Sequence, residues 1–295
     1  MAIIQSMEKM QNNQKAVGNI NSTINQINGD YISMDEAKMT ELCLKLINDK
    51  LQQLRNDAYM VLKAQVTSFS AELFKRIAKL EGKVETLEKF ANPAIQIALG
   101  ESLMGYSQRC SDEHKALLID SLLERLQVDD VSTKAILLDK IRKGIPNLTL
   151  SEIDMLAFLV FKSLTFNCKN IDDLKEGFQE LNPIVNNIFK MNSLDFYYLQ
   201  HTDFVHRISF IDNADFIEKT LLETYQSLFE KNTMEEFLNV LDDLGANWKE
   251  LFDLIKVNNM ACYAPTAQGV YLGLIRLSKV LNQPLDYDVF LSQLK

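Results

Sequence analysis

Apolar side chains recur at helical spacing from Met34 to Ala91, and the pattern predicts one helix of nearly sixty residues. Ser33-Met34-Asp35-Glu36 reads as its capping box, with Ser33 accepting from the third backbone N–H and Glu36 reaching back to the Ser33 amide. Pro93 disfavours helix at Asn92 and sets the exit. The stripe Ile47, Leu51, Leu54, Ala58, Leu62, Val66, Phe69, Leu73, Ile77, Leu80, Val84, Leu87, Ala91 advances about 3.67 residues per step, an eleven-residue period that keeps it on one side of a nearly straight rod. Such a rod would span roughly 85 Å, more than a compact domain needs, so part of it is expected to meet another chain. Ile77, Leu80, Val84 and Leu87 keep strict heptad spacing and are the expected self-association seam. The competing reading folds the rod under the body, with its stripe as ordinary core.

Before the rod lies a leader of residues 1–33 in which Val17, Ile20, Ile24 and Ile27 return among asparagines and glycines. It suits short strands and tight turns that only several copies would stabilise together, or else a low-complexity tail. After the rod, caps punctuate a run of short helices forming a body over 92–191. Ser111-Asp112-Glu113, Ser132, the capping box Thr149-Leu150-Ser151-Glu152, Asn170 and, in cap-then-Pro order, Asn182-Pro183 each open one. Ile153 to Phe166 is apolar enough for a central buried helix. In the region 192–295, Phe204 to Ile211 and Met260 to Ala264 read as strands separated by helices, a loosely winged-helix-like order that ends in a helix from Val270 to Leu281. The expected fold class is mainly α: a short β-prone leader, one very long helix, then a multi-helix body with a small winged-helix-like β element.

Composition narrows the function classes. Apolar residues make up 47% and charged residues 24% of 295 positions, as in a globular chain, and the formal net charge is −9. The rod is nearly neutral, so the acidity sits in the body and argues against a broad nucleic-acid surface. Lys75, Arg76, Lys79 and Lys83 form the one locally basic segment, the candidate nucleic-acid contact. Cys43, Cys110, Cys168 and Cys262 are scattered without a CxxC pair, and neither a secretory h-region nor a transmembrane run is present. A cytoplasmic location is expected.

Motifs for chemistry are sparse. Cys110 and His114 stand four apart, but Ser111 reads as the cap, so Cys110 falls outside the helix, and no second ligand pair follows. No metal site or cofactor is expected, and the imidazoles are read as surface groups. Neither a nucleophile elbow nor a phosphate-cradling glycine loop occurs. No catalytic residue is therefore assigned. Tyr197, Tyr198, Phe204, His206 and Phe210 cluster beside the first strand as a candidate ligand pocket, although such aromatic groups more often form core, and Trp248 carries the same ambiguity.

The leader Ile24-Asn25-Gln26-Ile27-Asn28-Gly29-Asp30, the blocks Asn92-Pro93-Ala94-Ile95-Gln96, Leu117 to Arg125 and Leu148 to Asp154, and the ending Tyr263 to Gly269 carry a resemblance. Together they resemble an uncharacterised bacterial family of helical proteins with a Gly-Asp-Asn/Gln-Ile leader and a Leu-Thr-x-x-Gly-like C-terminal helix start. Ala264 departs from that ending, where the family more often has Leu. The resemblance implies a helical fold, no catalytic residues, and an association with phage defence through the leader.

The expected function is a non-enzymatic, self-associating scaffold or sensor that recognises a protein or a small signal. The alternative is a nucleic-acid-binding regulator using the C-terminal region and the basic part of the long helix. In the first reading Ile20, Ile24 and Ile27 are buried between subunits, each contributing roughly 1.5–3 kcal/mol. Changing all three to Ser is expected to lower the sedimentation coefficient while leaving the helical circular dichroism of the body unchanged. Unaltered sedimentation would show that this row is not the assembly surface.

Overall fold

The computed structural model describes residues 36–80, 86, 88–109, 111–162, 170–208, 216–229, 233–242, 244, 248–285 and 287. The leader, with Ile20, Ile24 and Ile27, lies outside them. Two compact units divide the chain, Met1–Val61 and Leu62–Lys295.

In the first unit the described residues are the opening part of helix α1 (Glu36–Ile77), which continues into the second. Helix α1 stops at Ile77, well short of the expected Ala91. The amides of Lys79 and Leu80 bond to the carbonyls of Arg76 and Ile77, three residues back, at 3.0 Å, which tightens the last turn out of α-helical register. Lys75 and Arg76 sit in that last turn, where cations favour the helix dipole. The apolar period does run on, but Gly82 follows in the sequence and weakens any continuation. Residues 81–85 and 87, with Lys83, Val84 and Leu87, fall outside the described set.

The second unit continues with helices α2 (Pro93–Gln108), α3 (Asp112–Arg125), α4 (Thr133–Gly144), α5 (Leu150–Phe161), α6 (Ile171–Glu180), α7 (Asn182–Ile188) and α8 (Ser193–Gln200). Strand β1 (Val205–Arg207), helices α9 (Phe216–Tyr225), α10 (Met234–Asp242) and α11 (Trp248–Val257), strand β2 (Tyr263–Pro265) and helix α12 (Ala267–Val280) complete it. Most caps are those the sequence announces, but Asn182, expected to cap the helix that Pro183 enters, is itself the first residue of α7, whose N-cap is Leu181 without a side-chain bond. Asn92, Ser111, Ser132 and Asn170 accept from first-turn amides, and both halves of the Thr149–Glu152 capping box are formed. The two strands, shorter than expected, pair antiparallel with Val205 opposite Pro265 and Arg207 opposite Tyr263.

Helix α5 is the centre of the unit. Every residue from Glu152 to Phe161 is buried, as its all-round apolar surface requires. It packs on α7, α8, β2 and, most extensively, α12. Close approach to α12 depends on Gly273, where a Cβ would lie 2.8 Å from Cγ2 of Val160 and 3.0 Å from the Leu156 carbonyl oxygen. On the far side, Phe158, Phe161, Phe178, Phe237 and Trp248 interlock, with Phe178 at 4.9 Å from Trp248 and edge-on to Phe161 at 5.2 Å. Trp248 is thus a core residue. The same core takes in Phe69, Leu73 and Ile77 from the end of α1.

One charged side chain in this core should limit stability. Lys162, at the end of α5, is buried, and desolvation lowers its pKa from 10.5 to about 8. Between those values the unfolded chain holds a proton that the folded chain does not, so stability should rise with pH through that window, and the folded state is penalised below it. Lys162→Met is expected to raise stability at pH 7 by roughly 2–3 kcal/mol and to lose that advantage as pH approaches 10.5. Urea unfolding of both proteins at pH 7 and pH 10 measures it. An equal difference at the two pH values would contradict the assignment.

Candidate functional site

The α12 sequence puts Tyr271, Leu274, Ile275, Ser278 and Lys279 on one helical face, at spacings of three, four, seven and eight. Asp120, Leu123 and Glu124 do the same on α3. These two faces, together with Arg76 at the end of α1 and Lys134 at the start of α4, enclose a cleft of about 870 Å³ in the second unit. Its last wall is the segment after α12. There Asn282 takes a left-handed φ of 49°, the Gln283 amide bonds back to the Ser278 carbonyl at 3.1 Å, and the Leu285 amide donates to Ser278 Oγ at 2.8 Å. The reversal brings the ring of Tyr287 to 5.0 Å from that of Tyr271.

Charge in the cleft is unevenly matched. The Arg76 guanidinium donates to Glu72 at 2.9 Å and, in a short contact, to Asp120. Burial raises the Asp120 pKa above the usual carboxylate range, although Arg76 pulls it back. Lys134 places its ammonium 5.4 Å from the Tyr271 ring centroid, and the Tyr271 hydroxyl donates to the Glu124 carboxylate. Lys279 is different, because it makes no hydrogen bond or ion pair among the described residues. The residue as a whole is exposed, yet desolvation of the ammonium lowers its pKa; Asp120 and Glu113 oppose that shift, and Arg276 and Arg76 reinforce it. The arrangement offers cations, carboxylates and tyrosine rings for binding.

A family model matches residues 32–238. The chain belongs to this uncharacterised family. No curated protein matches the chain, and no solved structure does. The match takes in α1 through most of α10 and so includes the α1, α3 and α4 walls of the cleft, whereas α12 lies beyond it. The leader block 24–30 and the ending 263–269 also fall outside the matched residues.

The residues singled out from the sequence are dispersed. Tyr198 and Phe204 line a second hollow of about 450 Å³ with His201, Lys140 and Lys143. Phe204 itself is buried, its ring tip filling the space where a Cβ on Gly144 would lie 2.3 Å away. Tyr197 is exposed and packs its ring 4.3 Å from that of His201; His206 is exposed on β1, and Phe210 lies outside the described residues. Ile77 is only 2% exposed, so the chain's own core covers it, and Leu80 is half-buried. Lys75 and Lys79 are exposed, whereas Arg76 is held by two carboxylates.

His114 is buried rather than a surface imidazole. Its Nε2 lies 2.8 Å from the Leu148 carbonyl oxygen, which can only accept, so Nε2 carries the proton and Nδ1 accepts from the Ser111 hydroxyl at 2.8 Å. Both ring nitrogens are thereby occupied. Among the described residues no cluster of three metal-ligating side chains occurs, and Cys110 lies outside them.

The buried Tyr271 hydroxyl gives a direct check of the cleft geometry. Tyr271→Phe keeps the ring and frees Glu124, which is partly exposed and can turn to water. The expected loss is about 1 kcal/mol in chemical unfolding. A neutral or stabilising outcome would show that the hydroxyl does not make this bond.

Proposed function

We propose that the protein is a non-enzymatic, self-associating cytoplasmic scaffold or sensor whose helical body recognises a protein or a small signal. The observation that carries this reading is in the first unit. Tyr59, Met60 and Val61, consecutive on α1, are 63%, 64% and 58% exposed. Consecutive helical residues point about 100° apart, so apolar surface is presented over more than half the circumference of the helix rather than along one stripe. Large apolar side chains gathered in this way mark an interaction surface. A second copy of the chain is the occupant this reading assigns, since the same segment would supply a matching apolar surface.

No helix among the described residues is long and apolar enough to cross a bilayer. The resemblance of the leader to those of proteins in phage conflict makes bacterial antiviral defence the context proposed for this activity. The nucleic-acid alternative keeps the exposed Lys75 and Lys79, but Arg76 is already engaged by carboxylates, which leaves that surface less basic than its sequence.

Light scattering on the full chain tests the reading. The parent is expected to be oligomeric at tens of micromolar, and Met60→Glu with Val61→Glu to reduce its mass toward that of one chain without loss of helical content. A parent that is strictly monomeric, or a double variant that assembles as the parent does, would refute it.

A further inference from the structure

Among the described residues Lys279 is the cleft cation with no ion pair, hydrogen bond or ring contact, since Arg76 lies between Glu72 and Asp120 and Lys134 lies over the Tyr271 ring. Asp120 and Glu113 act on its ammonium only through their fields and neither bonds to it, so an entering anion can still take up its donors. The volume, about 870 Å³, is far more than a bare inorganic anion would fill and is typical of a site for an organic molecule. Beside the ammonium stands the Tyr271–Tyr287 ring pair, with Tyr287 only half-buried and so able to offer ring surface to a flat group. Asp120 and Glu124 add acceptors, which suit a ligand carrying hydroxyl or amino donors.

From this juxtaposition we propose that the cleft binds a mononucleotide-class ligand, its phosphate at Lys279, its heterocycle against Tyr287, and its hydroxyl or amino groups donating to Asp120 and Glu124. The carboxylates also set an upper limit on ligand charge. A polyphosphate chain would lie against both of them and be repelled, whereas a single phosphate can sit at the ammonium and leave the carboxylates to the uncharged part. The ring pair and the acceptors exclude a simple anion site on the same grounds, because a bare phosphate would use neither. The proposal rests on the reading of the body as a recogniser of a small signal, and names the chemistry of that signal.

Isothermal titration calorimetry of the full chain at low salt, with AMP, GMP, CMP and UMP as probes, tests it. At least one is expected to bind with a dissociation constant below about 1 mM, and inorganic phosphate and the matching nucleoside each to bind at least about tenfold more weakly. Lys279→Gln and Tyr287→Leu, both at partly exposed positions, should each weaken binding about tenfold or more while circular dichroism stays that of the parent. The proposal is overturned if none of the four probes saturates below about 5 mM. It is equally overturned if phosphate alone binds as well as the nucleotide, or if a nucleotide binds and both variants leave its affinity unchanged. Assembly is read separately by scattering: an oligomer that binds no nucleotide defeats this proposal alone, and a monomer that binds one defeats the assembly reading alone.

Discussion

The contact of α5 with α12 is the constraint on which the second unit depends. Gly269, Gly273, Arg276 and Val280 recur on one face of α12. At Gly273 the absence of a side chain lets the helix approach the α5 backbone, and at Arg276 the guanidinium donates to both oxygens of Asp154, at 2.5 and 3.2 Å. Asp154 is fully buried and also accepts from Asn187 of α7 at 2.7 Å. One carboxylate therefore fixes the register of three helices. Since the cleft residues of α12 lie on its opposite face, any slip between α5 and α12 would carry Tyr271 and Lys279 away from α3.

Buried charge in this unit specifies arrangement more than it adds stability. Burial raises the Asp154 pKa, and the bonds from Arg276 and Asn187 oppose that rise without removing the cost of desolvating the pair. Arg125 and Arg142, both buried, converge on Asp139, with Asp130 at 2.6 Å from Arg125 and Glu101 at 3.7 Å from Arg142. Three of their guanidinium nitrogens find no hydrogen-bond partner among the described residues. An apolar core would avoid these costs. Directional bonds from fixed forks, however, hold α2, α3 and α4 in one arrangement where apolar contacts would tolerate several.

Much of the helical body was legible because its signals are local. A cap needs only the residues of one turn, so Ser111, Ser132, Asn170 and the Thr149–Glu152 box located their helices, and the all-apolar run after Ile153 announced a buried one. The end of α1 was not legible from periodicity. A repeating apolar stripe identifies a face but does not say what covers it, and in this chain the stripe is exposed at Leu62 and buried in the chain's own core at Phe69, Leu73 and Ile77. His114 was misread for a related reason, since its two partners include the carbonyl of Leu148, 34 residues away. The cleft was hidden most completely. Its charged residues come from α1, α3, α4 and α12, and on each helix alone they look like an ordinary solvated face.

Arg76 belongs to two structures at once, and this ties the cleft to the end of α1. Phe69, Leu73 and Ile77 bury the last turns of α1 in the core, Lys115 of α3 donates to Ser68 at 3.2 Å, and Arg76 adds the contact with Asp120. The same Arg76 and Asp120 line the cleft beside Lys279, whose field Asp120 opposes and Arg76 reinforces. Asp120 thus carries the fields of Arg76 from α1 and of Lys279 from α12 together. The apolar contacts of Phe69, Leu73 and Ile77 supply the bulk of the anchorage of that last turn and do not respond to charge, so the partly exposed pair of Arg76 with Asp120 orients the turn more than it stabilises the unit.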